Sequence, residues 1–379
     1  MNKIPFPVKM LLETTTRCNL RCIMCSVNID PRIKTGGEWY GDINAEIFDR
    51  LKNVFPQVRR VALNAHGEPL LYPKFLESLA LLKSHGILVD ITSNAVLIND
   101  EIAEGIVEYG LDNLTVSMNA ASEPLYSEIM RGAKLETVIK NIKMINEYKQ
   151  DYSKRMPKIV FHFVGMRQNI HQLPGVIESA KDLGVEGVVV LALVEYPLVE
   201  GQSLIYHKEY SKKFFEESMG IADKENIELI IPSQYFYHQN SKSQFYKKRI
   251  RIIYKILFDH KTRGILYNKI WSYIRHERNM ETMADRPIIN MSIRDCYDPW
   301  TMCYIMQNGD IRPCCNLEQI MGNVLEQNFE EIWNGEKYNG LRSEISSGNL
   351  PKECANCITR QWTDSKKWHD NLLAMIMPE

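Results

Sequence analysis

Three cysteines near the start of the chain have a spacing suited to holding a metal cluster. They lie in the stretch Cys18-Asn-Leu-Arg-Cys22-Ile-Met-Cys25, just after an apolar segment. Three thiolates in one loop can hold three irons of a [4Fe-4S] cluster and leave the fourth iron without a protein ligand. Such an iron can bind a substrate or a cofactor directly. Zinc and a purely electron-transferring cluster are the alternatives, but zinc sites usually combine two paired thiols with two further ligands.

A second group of cysteines lies near the other end of the chain. Cys296 and Cys314 flank Gly309, and Cys354 and Cys357 follow as a closely spaced pair. The stretch Gln-Asn-Gly-Asp around Gly309 predicts a type I′ hairpin turn. The flanking segments alternate like short strands, over Thr301–Met306 and Asp310–Arg312. Four thiolates that converge from a hairpin and a loop can close a full [4Fe-4S] site, and a four-cysteine zinc ribbon is the alternative.

Composition and cysteine distribution indicate a cytoplasmic protein with metal sites. The chain has 379 residues, of which 45% are hydrophobic and 25% charged, and its formal net charge is -1. No run of about 18 apolar residues could span a membrane, and no signal peptide is evident. The nine cysteines are concentrated in two groups. This distribution favours thiolate metal sites in a reducing compartment over a disulfide framework.

The first 200 residues alternate strand-like and helix-like segments. Short apolar segments rich in β-branched residues predict six strands, over Val8–Thr15, Val58–Asn64, Leu88–Thr92, Asn113–Met118, Lys158–Val164 and Val185–Leu193. Amphipathic stretches between them predict helices, for example over Ala45–Val54, Phe75–His85 and Leu135–Tyr148. Successive β/α units predict an α/β fold with a parallel sheet and outer helices, either barrel-like or doubly wound.

Polar side chains follow five of these predicted strands. In parallel α/β folds the functional groups lie at the C-terminal ends of the strands. The clusters are Thr14-Thr15-Thr16, His66-Gly67-Glu68-Pro69, Thr92-Ser93-Asn94, Ser117-Met118-Asn119 and Arg167-Gln168-Asn169. Five clusters in equivalent positions predict one shared site at this end of the sheet.

A basic segment interrupts the alternating pattern. Residues 242–278 contain eleven Lys or Arg against two acids, Asp259 and Glu277, with aromatic and aliphatic residues interleaved. The pattern is typical of basic amphipathic helices. A solvated helical insertion is one interpretation, and a platform for an anionic substrate is another. Nucleic acid is a third interpretation of this segment, but we expect no nucleic-acid partner for the protein.

The first cysteine motif resembles that of the radical S-adenosylmethionine (SAM) superfamily, over roughly residues 8–200. The resemblance implies that the open iron chelates SAM. An electron from the cluster then cleaves SAM to methionine and a 5′-deoxyadenosyl radical, which abstracts hydrogen from the substrate. One departure is Met24, because the residue before the last cysteine is usually aromatic in this family. A thioether can still pack against adenine.

The resemblance also implies SAM contacts. Gly67 and Glu68 resemble the motif for the SAM amino group, and Arg131 resembles an arginine that pairs with the SAM carboxylate. Ribose and methionine contacts are implied for Ser93, Asn94, Ser117 and Asn119. These serines and asparagines could instead cap βα loops, and Glu68 could belong to an ordinary turn. Three further residues near strand ends could act on substrate or support the loops: Glu13, His66 and Glu195.

The second cysteine group resembles the SPASM/Twitch auxiliary-cluster domain. The matching residues are Trp300, Gly309, Pro313-Cys314-Cys315, Gly322-Asn323, Ile332-Trp333-Asn334, Leu341-Arg342 and the final cysteine pair. A complete SPASM domain has further cysteines after this pair, and no cysteine follows Cys357. The resemblance therefore implies the shorter Twitch form, with one auxiliary [4Fe-4S] cluster on Cys296, Cys314, Cys354 and Cys357.

Together these features predict a partial (β/α)6 TIM-like barrel, a helical insertion and a small C-terminal hairpin-plus-helix cluster domain. The predicted boundaries are 1–230, 231–290 and 291–379. Two cysteines remain outside the predicted ligand sets. Cys315 would point away from Cys314 on a strand, which favours a structural role. Cys303 is either a buried small apolar residue or a hydrogen-atom donor, and the second role would make the enzyme an epimerase.

The reaction depends on the fate of the substrate radical. An auxiliary cluster can accept one electron from it, which predicts a dehydrogenase acting on a sugar, aminocyclitol or related small molecule. An anionic substrate is one option, which the basic segment would suit. Epimerisation and modification of a peptide are alternatives, although the seventeen residues before Cys18 leave no room for a peptide-binding domain there. An iron–sulfur electron carrier is the non-enzymatic alternative. We expect a flavodoxin- or ferredoxin-like protein to supply electrons.

Overall fold

The chain forms two compact units. The computed structural model describes residues 4–232, 235, 291–294, 296–355, 357 and 362–364. The barrel unit comprises Leu11–Asn44 and Arg59–Phe245, and the C-terminal unit comprises Met1–Met10, Ala45–Val58 and Tyr246–Glu379. The basic segment 242–278 lies outside the described residues, and the predicted three-domain boundaries stay a prediction.

A parallel sheet forms the core of the barrel unit. Its strands are the second half of β1 Lys9–Leu12, then β2 Arg60–Ala62, β3 Leu88–Ser93, β4 Asn113–Ser117, β5 Lys158–Gly165, β6 Gly187–Ala192 and β7 Glu228–Ile230. Strands β2 to β7 pair in parallel with their neighbours along the chain, and β1 lies beside β2. In a doubly wound sheet the strand order reverses at a switch point. Strands β2 to β7 follow one another in chain order without a reversal, so the sheet is not doubly wound. The sheet stays open, as a partial barrel requires.

One face of this sheet is covered by helices and the other is more open. Along β5, Ile159, Phe161 and Phe163 are fully buried, while Val160 and His162 between them are partly exposed. Successive side chains of a strand point to opposite faces, so the buried residues share the helix-covered face. The helices of this unit are Phe75–Ser84, Asp100–Glu108, Leu125–Ile129, Leu135–Asp151, Leu173–Asp182 and Lys208–Lys224.

Three consecutive antiparallel strands lie in the C-terminal unit. They are β9 Met302–Ile305, β10 Asp310–Arg312 and β11 Gly322–Asn323, and a further pair joins β8 Met291–Arg294 to β12 Trp362–Asp364. The predicted hairpin therefore forms. Its predicted turn type is wrong, because a type I′ turn needs positive φ at both central residues and only Gly309, at +89°, has it.

Short helices complete the C-terminal unit around a buried aromatic cluster. They are Glu46–Arg50, Asp298–Thr301, Phe329–Trp333, Glu336–Ser347 and Lys352–Ala355. The guanidinium carbon of Arg342 lies 4.6 Å from the ring centroid of Trp333 and 4.9 Å from that of Tyr338. Arg342 Nε donates to the carbonyl oxygen of Pro299 at 2.9 Å, and Nη1 donates to that of Trp333 at 2.7 Å. The buried cation thus ties the helices together through both charge–ring contacts and hydrogen bonds.

Candidate metal centres

The N-terminal cysteines occupy a loop that follows β1. Burial raises the pKa of Cys18 to about 11 and also raises the pKa values of Cys22 and Cys25. The charges of Cys18 and Cys25 add to this effect at Cys22, so three thiolates here would repel one another. Iron offsets both the burial and the repulsion, because a thiolate bound to a cation no longer carries an uncompensated charge. This donor set therefore fits an iron–sulfur cluster.

Backbone hydrogen bonds hold the cysteine loop against the segment that carries Arg131. The amide nitrogen of Arg21 donates to the carbonyl oxygen of Arg131 at 2.8 Å, and that of Ile23 donates to the carbonyl oxygen of Ile129 at 3.1 Å. The side chain of Arg131 is exposed. The predicted partner of the SAM carboxylate is therefore adjacent to the cysteine loop, and its contact with SAM stays a prediction.

Gly67 fits closely against the backbone just before Cys18. Its φ is +70°, and a Cβ atom there would lie 2.5 Å from the carbonyl oxygen of Thr15 and 2.6 Å from that of Arg17. The amide nitrogen of Glu68 also donates to the Arg17 carbonyl oxygen at 2.7 Å. Only glycine combines this backbone conformation with so close an approach.

The carboxylate of Glu68 binds neighbouring protein groups. It is 2% exposed, and it accepts hydrogen bonds from Ser93 Oγ at 2.7 Å and from the Asn94 amide nitrogen at 2.8 Å. Burial raises its pKa to about 7, and these hydrogen bonds oppose that shift. The Asn94 side chain donates from Nδ2 to Asn19 Oδ1, within the cysteine loop, at 2.9 Å. Three of the predicted SAM contacts thus hold one another and the loop.

The end of β4 carries the last two predicted SAM contacts. Asn119 is buried, and its Oδ1 accepts a hydrogen bond from the Val164 amide nitrogen at 2.8 Å. Its Nδ2 lies 3.0 Å from Met130 Sδ. Ser117 is partly exposed and pairs in register with His162 of β5. Asn119 thus supports neighbouring elements, whereas Ser117 faces the open side of the sheet with His162.

Two acids considered from the sequence have protein partners. Glu13 is fully buried, and its Oε1 lies 2.7 Å from His66 Nδ1 and 3.2 Å from the His66 amide nitrogen. Glu195 Oε1 accepts a hydrogen bond from the Ser203 amide nitrogen at 2.7 Å. Glu13 and His66 form a pair at the mouth of the barrel unit, and Glu195 fixes the loop after β6.

The four predicted auxiliary ligands lie around a single pocket in the C-terminal unit. This pocket is lined by Cys296, Asp298, Cys314, Asn316, Leu317, Ile345, Leu350, Glu353, Cys354 and Cys357. Burial raises the pKa of Cys314, and it raises that of Cys354 to about 11. The charges of Cys314 and Cys357 also raise the pKa of Cys354, which indicates that the thiols lie close together. The thiol donors and the apolar wall fit an iron–sulfur cluster.

Among the described residues, no three His, Cys, Asp or Glu side chains are close enough together to bind one metal ion. A single zinc ion binds each thiolate at about 2.3 Å, whereas a four-iron cluster binds each thiolate through a different iron. The thiolates of a cluster are accordingly further apart than those around one ion.

The two remaining cysteines have opposite environments. Cys303 lies on β9 and is fully buried. Cys315 is exposed and lies beyond β10, which ends at Arg312 as predicted, so the expectation that held for a strand position does not apply to Cys315. The chain turns before Cys315, and the alternation of a strand therefore does not determine where its side chain points. The functional roles of both cysteines stay predictions.

Comparison with known proteins identifies the family. The model of the Radical SAM superfamily matches residues 12–190, and that of the SPASM iron–sulfur cluster-binding domain matches residues 296–358. The chain belongs to the radical SAM superfamily. The two matched regions contain the two cysteine groups. A radical SAM protein carries a [4Fe-4S] cluster and binds SAM, and its SPASM domain carries further iron–sulfur chemistry, so the expected cofactors are confirmed.

Curated relatives of this radical SAM protein match nearly its whole length. The tungsten-containing aldehyde ferredoxin oxidoreductase cofactor-modifying protein of Pyrococcus furiosus is 23% identical over 387 residues, covering 95% of this chain and 90% of the relative. The AdoMet-dependent heme synthase of Methanosarcina barkeri is 24% identical over 359 residues, covering 92% of this chain and 90% of the relative.

Solved structures of similar fold also bind SAM. The structure of anSMEcpe with bound AdoMet has a TM-score of 0.60 and 15% identity, covering 93% of this chain and 86% of that protein. Streptococcus suis SuiB bound to S-adenosylmethionine has a TM-score of 0.58 and 19% identity, covering 90% and 69%. At these identities the likeness is one of fold, and it confirms the predicted partial barrel. Among the described helices, none is long and apolar enough to cross a bilayer.

Proposed function

We propose that this radical SAM enzyme oxidises a C–H bond of a small molecule and passes one electron to its auxiliary cluster. Cys18, Cys22 and Cys25 would hold the SAM-binding cluster. The auxiliary cluster would be held by Cys296, Cys314, Cys354 and Cys357. When bound, the first cluster and SAM supply a 5′-deoxyadenosyl radical for hydrogen abstraction.

The single observation that carries the proposal is the difference in donor number between the two sites. Three thiols in the loop leave one iron corner for an outside ligand, whereas four thiols around one pocket can satisfy a whole cluster. A cluster with all corners occupied by protein is suited to electron transfer. Since cluster potentials span about −700 to +450 mV, such a site can be adjusted to accept an electron from a substrate radical.

Side chains around the first site would position SAM rather than react. Glu68 is held by Ser93 and Asn94, and Asn94 also holds the cysteine loop. This network fixes the distance between the Gly67 loop and the cysteine ligands. We propose that Gly67, Glu68 and Arg131 orient the amino and carboxylate groups of SAM, while Ser117 contacts the ribose or methionine portion.

Several observations favour a small molecule as the substrate. Two relatives that match at least 90% of their own length are named for heme synthesis and for cofactor modification. SuiB bound to its precursor peptide has 19% identity and shares the fold alone. Epimerisation through Cys303 is not proposed, because complete burial keeps that thiol from a substrate. Sugars and aminocyclitols are the first classes to test, with a flavodoxin- or ferredoxin-like protein as electron donor.

Anaerobic reconstitution tests the two-cluster proposal. About eight irons per chain are expected, since each cubane contains four. Four irons together with one zinc would support a zinc ribbon in the C-terminal unit and contradict the electron-acceptor role. The loaded enzyme is then incubated with SAM and deuterated sugars or aminocyclitols. Deuterium in 5′-deoxyadenosine, together with an oxidised product, is the expected result. Deuterium transfer without net oxidation would refute the dehydrogenase proposal.

A further inference from the structure

Met130 is fixed between two backbone hydrogen bonds that join its segment to the cysteine loop. Its neighbours Ile129 and Arg131 accept these bonds from Ile23 and Arg21. The residue is 2% exposed, so its side chain is enclosed by protein. Because both flanking carbonyl groups are tied to the loop, the methionine cannot move independently of the cysteine ligands.

The thioether of Met130 contacts a cysteine predicted to bind the cluster. Its Sδ lies 3.5 Å from Cys22 Sγ and 3.0 Å from Asn119 Nδ2. Asn119 Oδ1 accepts the Val164 amide hydrogen, and this bond determines which end of the Asn119 side chain is the NH2 group. The NH2 group must therefore face the sulfur, which holds the thioether against Cys22.

Cys22 and Cys18 differ in their hydrogen-bond donors. Cys18 Sγ accepts the amide hydrogen of another residue, Leu20, at 3.4 Å. Cys22 Sγ has a backbone hydrogen bond within its own residue, and the Met130 thioether that contacts it has no hydrogen to donate. Hydrogen bonds to cluster sulfurs stabilise the more negative, reduced cluster and so raise its reduction potential. A neighbour without a donor lowers the reduction potential of the cluster, because it keeps both water and hydrogen-bond donors away from the sulfur.

We propose that Met130 is a positioning residue that holds Cys22 in place and keeps the potential of the SAM-binding cluster low. This inference rests on the proposed ligand role of Cys22. A low potential is useful at this site, since the electron must be transferred to SAM. Asn119 supports this arrangement indirectly, because its Nδ2 group holds the Met130 thioether in place.

Substitution of Met130 by glutamine gives the sharpest test. Glutamine has nearly the shape of methionine, and its Oε1 can accept the Asn119 hydrogen in place of Sδ. Its NH2 group then points at Cys22 Sγ. We expect Met130→Gln to raise the midpoint potential by about 59 mV, which corresponds to a tenfold change in a one-electron equilibrium. Met130→Leu keeps an apolar, donor-free side chain and should leave the potential unchanged.

The measurement is a redox titration of the anaerobically reconstituted full-length protein, followed by electron paramagnetic resonance. The signal that responds to added SAM identifies the N-terminal cluster. If Met130→Gln does not load iron, Met130→Ala replaces it, because water entering the vacated volume would also donate to Cys22 and raise the potential. Full iron loading with a wild-type potential in the variant measured would overturn the inference. A SAM-responsive cluster that survives in Cys22→Ala would instead refute the proposed ligand set.

Discussion

In the function proposed above, the two cysteine groups use the same donor atom for different purposes, and the difference lies in how many thiols each provides. The loop after β1 brings three cysteines together, while the C-terminal unit surrounds one pocket with four. The first arrangement leaves a coordination position for SAM, and the second can complete a cluster from protein alone. Counting thiolates therefore predicts which site binds a reactant and which transfers electrons.

The two regions are also stabilised differently. Hydrogen bonds from backbone amides and from Asn94 fix the N-terminal loop, together with the buried side chains of Leu20 and Ile23. In the C-terminal unit, Arg342 is buried against Trp333 and Tyr338. A loop can keep one side open for a ligand, whereas the C-terminal pocket is walled by apolar side chains, namely Leu317, Ile345 and Leu350. Substitutions of residues other than the cysteines should therefore affect ligand binding in the first region and cluster retention in the second.

The largest expected effect is the loss of SAM cleavage in Cys22→Ala. Removal of this thiolate leaves two ligands in the loop, too few to hold a cubane with one open corner. Formation of 5′-deoxyadenosine under reducing conditions is the measurement, and it should fall to background. Cys315→Ala is the control, because Cys315 is exposed and lies outside both proposed ligand sets. Cleavage at the parent rate in Cys22→Ala would show that the loop does not bind the reactive cluster.

Cys354→Ala should distinguish the function of the C-terminal cluster from that of the N-terminal cluster. The change removes one of four thiolates from the C-terminal pocket and leaves the loop intact. We expect 5′-deoxyadenosine to be released still, the iron content to fall by up to about four per chain, and oxidised product to be lost. The measurements are iron content and product formed per 5′-deoxyadenosine. An unchanged product ratio would mean that the C-terminal cluster does not accept the substrate electron.

Gly67→Ala should destabilise the barrel unit and weaken SAM binding. A left-handed backbone costs a residue with a Cβ about 1–3 kcal/mol, and here that atom also overlaps carbonyl oxygens of Thr15 and Arg17. Gly201→Ala is a matched control, since Gly201 has φ +69° and nothing within 4 Å of its added Cβ. Thermal unfolding and SAM affinity are the measurements. If both variants lost the same thermal stability and the same SAM affinity, the close approach of Gly67 to the Thr15 and Arg17 carbonyl oxygens would not contribute to either.

Periodicity and motif spacing predicted most of the barrel unit. Strands β3, β4 and β5 begin at the predicted residues, because short apolar segments rich in β-branched residues mark them. Strand β7, Glu228–Ile230, was not predicted, since three residues are too few to show a period. The turn at Gly309 also differed, because the Asn-Gly pair allows either one or two residues of positive φ.

Side-chain partners could be predicted less well than elements. Glu68, Ser93 and Asn94 were identified from motif positions, but their hydrogen bonds to one another depend on how neighbouring strands align. The contact between Met130 and Cys22 joins residues 108 positions apart, and a methionine between isoleucine and arginine gives no local signal of it. Long-range contacts of single side chains follow from the folded arrangement rather than from residue spacing.

The smallest expected effect concerns His162, on the open face of the barrel sheet. Burial lowers the pKa of His162 to about 4, and the usual value for an unfolded chain is about 6.5. Between these values the unfolded chain binds a proton that the folded chain does not. The free energy of unfolding should therefore fall as the pH drops from about 6.5 to about 4, by at most about 1.4 kcal/mol per pH unit from this residue.

His162→Gln should remove this part of the pH dependence in the barrel unit. Urea unfolding at pH 5 and at pH 8 measures it, and the difference between the two midpoints should be smaller in the variant than in the parent. His171→Gln is the control, because His171 is exposed on the same unit and should keep the parent difference. Register neighbours of His162 on the adjoining strands are Ser117 and Val189, which carry no charge in this range. An identical pH dependence in His162→Gln and the parent would therefore mean that the open face admits enough water to keep this imidazole at its ordinary pKa.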